Sequence, residues 1–311
     1  MKAVRYDEYG NPQVMRYEDA AQPHPAAGQA LIRVAATSFN AVDAAIRAGY
    51  LRQQFPVRFP HTPGIDVAGT VAELGEGVAG FGVGDAAIGF LPMTADGAAA
   101  EFVLAPADVL TAAPRTVPLA DAAALPAAGL TAWQALFEHA NLQAGQRVLI
   151  NGAGGGVGGF AVQLAKGAGA FVIATASLRS TATVRSAGAD QLVDYTTTTL
   201  SDAITEPVDV VLNLVRASEQ DMAGLVGLVA PGGVLVTTTS PAQDDPTRQV
   251  RAINMFVRSD AGELAAIVAK VDAGDLRIDI SATYPLSDIA LAHEKGEAGQ
   301  FRGKVLLVPA T

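Results

Sequence analysis

A chain of 311 residues, half of them hydrophobic, has material for one large or two smaller cores. Its formal charge of −10 makes nucleic acid and anionic membrane surfaces poor partners. It contains no cysteine, which removes disulfides, thiolate nucleophiles and every thiolate-based zinc site, and accords with a reducing compartment.

The opening MKAVRYDEYG mixes charges into its first residues and has no apolar h-region, so no secretory signal is expected and the expected location is the cytoplasm. No uninterrupted apolar run reaches the length of a membrane span. To about Pro118 the chain carries short β-like runs (KAVRY, ALIRVAAT, VAGTVAEL, AEFVLAP), punctuated at GNP, PHP, HTPG, GEG and GVGD. This pattern predicts a twisted, partly closed β-structure, with one helix at NAVDAAIRAG. From about Leu119 to Ser240, β runs such as RVLIN, FVIATA, VDVVLNLV and GVLVTTT alternate with helix-like runs. Their continuous apolar character predicts a doubly wound α/β domain with a parallel sheet. A polar loop follows, then a helix (GELAAIVAKVDAG), a strand (LRIDISATYPL), a helix (SDIALAHEKGEAG) and a last strand (KVLLVP). Composition alone does not say which domain this tail joins.

The densest chemistry lies in NGAGGGVGGFAVQLAK. Gly152, Gly155 and Gly158 fall at a G-x-x-G-x-x-G spacing, with Gly156 and Val157 opening the helix. A dinucleotide site needs a tight turn, close approach of backbone to pyrophosphate, and a helix packed against its strand. The helix N-terminus then offers free N–H groups to the phosphates. Past the next strand stand Ala176, Ser177, Leu178 and Arg179, with no carboxylate to bind ribose hydroxyls. A 2′-phosphate would meet no repulsion there and a guanidinium could bind it, so NADP is expected over NAD. The plainer reading of Arg179 is a solvated cation at a helix start.

FPHTPGIDVAGTVAELGEGVAGFGVGD, AAALPAAGLTAWQAL, the glycine turn, GAD followed by DY, VAPGGVLV and FRGKVLLV together resemble the zinc-free medium-chain dehydrogenases/reductases of the quinone oxidoreductase (zeta-crystallin-like) group. The resemblance covers essentially the whole chain. It implies a GroES-like β-rich catalytic domain over 1–118, completed by 253–311, and a Rossmann NADP-binding domain over 119–252, with the cofactor in the cleft. Zinc relatives carry Cys where this chain has Asn40, and Gly-His-Glu where it has Gly64-Ile65-Asp66, so no metal is expected. The histidines show no metal-ligand spacing with one another: His24 sits in a Pro-rich loop, His139 and His293 lie in helix-like runs, and His61, near the expected cleft, reads as a turn or packing residue ahead of a catalytic one.

The resemblance also places Asn40, Asp43 and Tyr50 around the nicotinamide and Thr131 beside its ribose. Asn40 is a donor to a carbonyl or carboxamide, or a helix N-cap, or both. Asp43 reads as a structural acceptor ahead of a proton donor. Tyr50 closes the pocket, donates a proton, or is a buried aromatic after a helix. Phe256 lines the cleft or packs in a core. Lys304 matches a position near the cofactor phosphates, or is solvated. Ser177, Arg179 and Tyr195 form the expected 2′-phosphate site. The implied activity is NADPH-dependent hydride transfer to quinones or other α,β-unsaturated carbonyls, small-molecule substrates. The alternatives are an enoyl or enone reductase of a secondary-metabolite pathway, and a non-catalytic NADPH-binding protein. Ala41 and Val42 stand where polyketide enoyl reductases often carry an aromatic, which weighs against that alternative. A homodimer paired through the strand near GGVLVTT is also implied.

Overall fold

A computed structural model of the chain describes residues 1–310. In chain order the elements are β1 (Lys2–Arg5), β2 (Arg16–Asp19), β3 (Gln29–Ser38), α1 (Ala41–Arg47), β4 (Asp66–Leu74), β5 (Ala86–Phe90), β6 (Phe102–Pro106) and β7 (Leu110–Ala112). Next come α2 (Pro126–Trp133), β8 (Arg147–Asn151), α3 (Gly156–Gly167), β9 (Phe171–Ala176), α4 (Thr181–Ser186), β10 (Gln191–Asp194) and α5 (Leu200–Ala203). The chain ends with β11 (Val208–Asn213), α6 (Glu219–Leu228), β12 (Val229–Thr237), β13 (Arg251–Asn254), α7 (Ala261–Asp272), β14 (Ile280–Pro285), α8 (Ile289–Glu297) and β15 (Lys304–Val308).

Two compact units divide at Ala127/Ala128 and Arg258/Ser259, and residues 275–279 return to the second unit. These divisions fall later in the chain than the expected 118/119 and 252/253. The change in sequence rhythm near Leu119 marks a 3-10 turn at Asp121–Ala124, which still packs on β3 and β4.

The first unit holds the β1–β2 ribbon and a seven-stranded sheet in the order β14-β15-β3-β4-β5-β7, with β6 also paired to β3. β15 runs antiparallel to β3, so the C-terminal tail completes this unit. One core gathers Ile32, Val34, Val67, Val71 and Val103; a second gathers Val4, Tyr6, Leu286, Ile289 and Leu307.

The second unit is a six-stranded parallel sheet in the order β10-β9-β8-β11-β12-β13. This is the doubly wound order of a Rossmann fold, whose ligands bind where the order reverses, here between β8 and β11. Leu149, Ile173, Val193, Val211 and Leu235, one from each of five strands, are buried together under Met222 and Leu225 of α6. That helix starts on a capping box from Ser218 and Asp221. β12, which contains GGVLVTT, is hydrogen-bonded on both sides, to β11 and β13. It has no free edge for pairing with a second subunit; the edge strand is β13.

Candidate active site

The glycine turn is built on backbone geometry. β8 ends at Asn151, and Gly152 turns with φ +97 while its N–H donates to Thr175 Oγ1 at 2.8 Å. Gly155 N–H closes the loop onto Gly152 O at 3.1 Å. A Cβ on Gly158 would overlap the Gly152 carbonyl oxygen and lie 2.5 Å from Ala153 Cα, so the helix can pack this close only as glycine. The first intrahelical bond of α3 runs from Gly159 N–H to Gly155 O, which leaves the N–H groups of Gly156, Val157 and Gly158 facing out of the helix start. These features suit a pyrophosphate.

The parallel register sets Asp194 of β10 against Ala176 of β9. The segments that follow, Ser177 to Arg179 and Tyr195, therefore leave neighbouring strand ends, next to the end of β8. Arg179 and Tyr195 are exposed and Ser177 is half-buried. Ser177 O accepts from Ser180 N–H and Thr181 N–H, both at 2.9 Å, which fixes the turn that carries Arg179. Thr131 is buried in the second-unit part of α2.

The first unit brings together side chains from four separate segments. Asp66, wholly buried at the start of β4, accepts from Asn40 Nδ2 at 2.8 Å and from Ala127 N–H at 2.7 Å. Ser38 Oγ donates to the same carboxylate. Lys304, at the start of β15, donates to Asn40 Oδ1 at 2.8 Å and approaches Asp66 Oδ2 at 3.5 Å. Burial pushes the Lys304 ammonium down from its usual range, against the pull of Asp66 and Asp43. Asp43, buried in the first turn of α1, accepts from the N–H groups of Gly64 (3.1 Å) and Ile65 (3.2 Å). Gly64 can present its N–H because its φ is +106 and because a Cβ there would lie 2.9 Å from Ala99 N. Burial, and next the charge of Asp66, push the Asp43 carboxyl up to about 7.

Several expectations need correction. Lys304 is not solvated; its ammonium is buried and held by Asn40, Asp66 and Phe39 O within the first unit. Asn40 occupies the N-cap position of α1, but its side chain makes no cap bond, because Asp66 and Lys304 claim both ends of the amide. Tyr50 is not a buried aromatic: it is 75% exposed, one residue past the left-handed Gly49 that ends α1. Phe256 follows β13 and is 61% exposed, so it is not core packing. Sequence reasoning missed the central part of Asp66, read only as a lost zinc ligand, and the polar floor of the glycine turn. There Asn151 Nδ2 donates to Asn213 Oδ1 at 2.9 Å, and Thr175 Oγ1 donates to Asn151 Oδ1 at 3.2 Å. The available signal was a polar residue at or near the C-terminal end of an otherwise apolar strand.

Residues 26–115 match the family model of the alcohol dehydrogenase GroES-like domain, and residues 187–307 that of the zinc-binding dehydrogenases. The chloroplast envelope quinone oxidoreductase homolog of Arabidopsis thaliana is 33% identical over 99% of this chain and 98% of its own. The chain belongs to the quinone oxidoreductase family. Its fold is that of the medium-chain dehydrogenases/reductases, and it is an NAD(P)H-dependent oxidoreductase. The quinone oxidoreductase of Coxiella burnetii superposes with a TM-score of 0.90 at 32% identity, covering 99% of both chains. A mycobacterial protein solved in complex with NADPH superposes at 0.87 with 30% identity, covering 99% of this chain and 100% of that one. Within this family member the donor set does not fit a catalytic zinc: Asn40 offers an amide, Ile65 offers nothing, and the Lys304 ammonium already lies against Asn40 and Asp66. No helix among the described residues is long and apolar enough to cross a membrane.

Proposed function

We propose that this oxidoreductase is a zinc-independent, NADPH-dependent reductase of quinones and other α,β-unsaturated carbonyls. The observation that carries the reading is the replacement of zinc ligands by the Asn40–Lys304–Asp66 cluster, which leaves hydrogen bonding as the means of activating an acceptor. Bound NADPH would supply the hydride. The N–H groups of residues 156–158 hold its pyrophosphate, Ser177, Arg179 and Tyr195 hold its 2′-phosphate, and Thr131 holds the nicotinamide ribose. Lys304 and Asp66 fix the plane of the Asn40 amide. Its second amide hydrogen finds Ser38 O only at 3.3 Å and Asp43 Oδ2 at 3.5 Å, and is the donor left for a carbonyl. Tyr50 and Phe256, both exposed, are surfaces on which an apolar acceptor packs. The reducing cytoplasm suits a chain without cysteine, and a homodimer would pair through the edge of β13.

Calorimetry with NADPH and NADH, on the natural chain and on Arg179→Ala, tests the cofactor assignment; a quinone panel, followed at the reduced-nicotinamide absorbance, tests turnover. We expect tighter binding of NADPH than NADH, quinone-dependent oxidation, and a loss of roughly 10- to 100-fold in NADPH affinity alone for Arg179→Ala. Binding without turnover on any quinone would move the reading to a dedicated enone substrate or a non-catalytic role. Absence of binding by either nucleotide would overturn it.

A further inference from the structure

The first unit contains a small cavity of about 10 Å³ lined by Tyr6, Asp43, His61, Thr62 and Gly64 among others, room for about one water. Tyr6 is fully buried, and its hydroxyl has no hydrogen-bond partner among the described residues. An orphaned buried hydroxyl is costly, and a bridging water removes the cost when further polar groups share the space. Asp43 offers such a group. Its Oδ1 is taken by Gly64 and Ile65, whereas the contact of Oδ2 with Asn40 is 3.5 Å long.

We propose that Asp43 is the proton-carrying member of the buried cluster, that it exchanges this proton with solvent through one water shared with Tyr6 and His61, and that the proton sets the charge behind Asn40. The last clause rests on the reductase reading; the others do not. Two carboxylates, Asp43 and Asp66, face one ammonium, Lys304, in the unit's interior. With both carboxylates ionised the cluster carries an excess negative charge, so one proton is retained there. Asp66 accepts from Asn40, Ser38 and Ala127, whereas Asp43 Oδ2 has only the 3.5 Å contact with Asn40 and room beside it for a proton, so the proton falls to Asp43. The other groups facing this position are the Tyr6 phenol, Arg47 one turn along α1 and paired with Glu297, and His61, held below its usual range by burial. His61 Nδ1 lies 3.6 Å from the exposed Asp96 carboxylate, which gives the cavity a path toward solvent.

Asp43 is thus a positioning residue: it acts on the substrate through Asn40. Negative charge that develops on a reduced carbonyl at Asn40 is tolerated when Asp43 is protonated and opposed when it is ionised. Aspartate-selective 13Cγ NMR of the nucleotide-free protein reads the first part directly. One aspartate is expected to titrate near neutral pH and to vanish from the spectrum of Asp43→Asn. Tyr6→Phe keeps the ring contacts with Phe59 and His61, removes the hydroxyl, and is expected to move the midpoint upward. This second variant carries the test if Asp43→Asn does not fold. The kcat of the natural chain is expected to fall roughly tenfold as pH rises through the neutral range, and that of Asp43→Asn to stay flat. Either absence of a near-neutral aspartate or its survival in Asp43→Asn overturns the proposal. A near-neutral aspartate together with a flat kcat profile in the natural chain overturns the coupling to Asn40. Failure of every quinone to oxidise NADPH strikes the reductase reading alone and leaves the titration standing.

Discussion

The two units bury different kinds of polar group. In the first, Asp43, Arg47, His61, Asp66, His293 and Lys304 are all buried; in the second, the buried polar side chains are Thr131, Gln134, Thr175, Ser180, Asn213 and Thr237, none of which is charged. The second unit builds its glycine turn from backbone, with side chains serving as a neutral floor. The first unit gathers its buried cluster from ionisable side chains that must neutralise one another without solvent. Mutations should therefore act on the second unit through shape and on the first through charge and pH.

The sharpest way to break the shape side is Gly158→Ala. Its Cβ would lie within 2.7 Å of three backbone atoms of Gly152 and Ala153. A backbone clash cannot be relieved by a rotamer change, so a loss of about 4–5 kcal/mol in stability is expected in denaturant melts, with loss of nucleotide binding. On the charge side, Lys304→Met leaves the Asp66 carboxylate buried without its cation. A cost of about 3–5 kcal/mol is expected, visible as a lower melting temperature; an unchanged melt would mean that Asn40, Ser38 and Ala127 suffice to hold that charge.

His293 sharpens the comparison through pH. It is buried edge-on to Phe39, its Nδ1 has no partner among the described residues, and burial pushes it down to about 3. The unfolded chain binds this proton from about pH 6.5 downward and the folded chain does not, so stability falls as pH drops through that window. At about pH 4 the penalty is roughly 3 kcal/mol relative to neutral pH, and His293→Met should be spared it in urea melts. Asp43 has the opposite sign: the folded chain keeps a proton that the unfolded chain releases above about pH 4, so its contribution declines as pH rises toward about 7. The smallest effect returns to the glycine turn. Gly159 lies next to Gly158, yet a Cβ there meets nothing within 4 Å. Gly159→Ala should stabilise the start of α3 by roughly 0.5–1 kcal/mol, and a destabilised melt would contradict the geometry of the turn.

Much of the nucleotide half was legible in the sequence because its chemistry is local. A strand, a turn that only glycine can make and a helix follow one another within NGAGGGVGGFAVQLAK, and a parallel sheet brings successive strand ends side by side. The identities of Asn40 and Ile65 likewise carried the expectation of no catalytic zinc, since a residue type either carries a ligand atom or does not. The buried cluster of the first unit was not legible in this way. Lys304 and Asn40 meet across 264 residues, and only the antiparallel pairing of β15 with β3 brings them together. A lysine in GKVLL reads as a solvated cation until tertiary structure buries it. Once buried, it must find a carboxylate, and Asp66, Asn40 and Asp43 acquire their roles from that requirement. Sequence determined where the backbone turns and which ligands are missing; strand pairing alone decided which charges share the dry interior, because the cost of burying a charge depends on what folding places beside it.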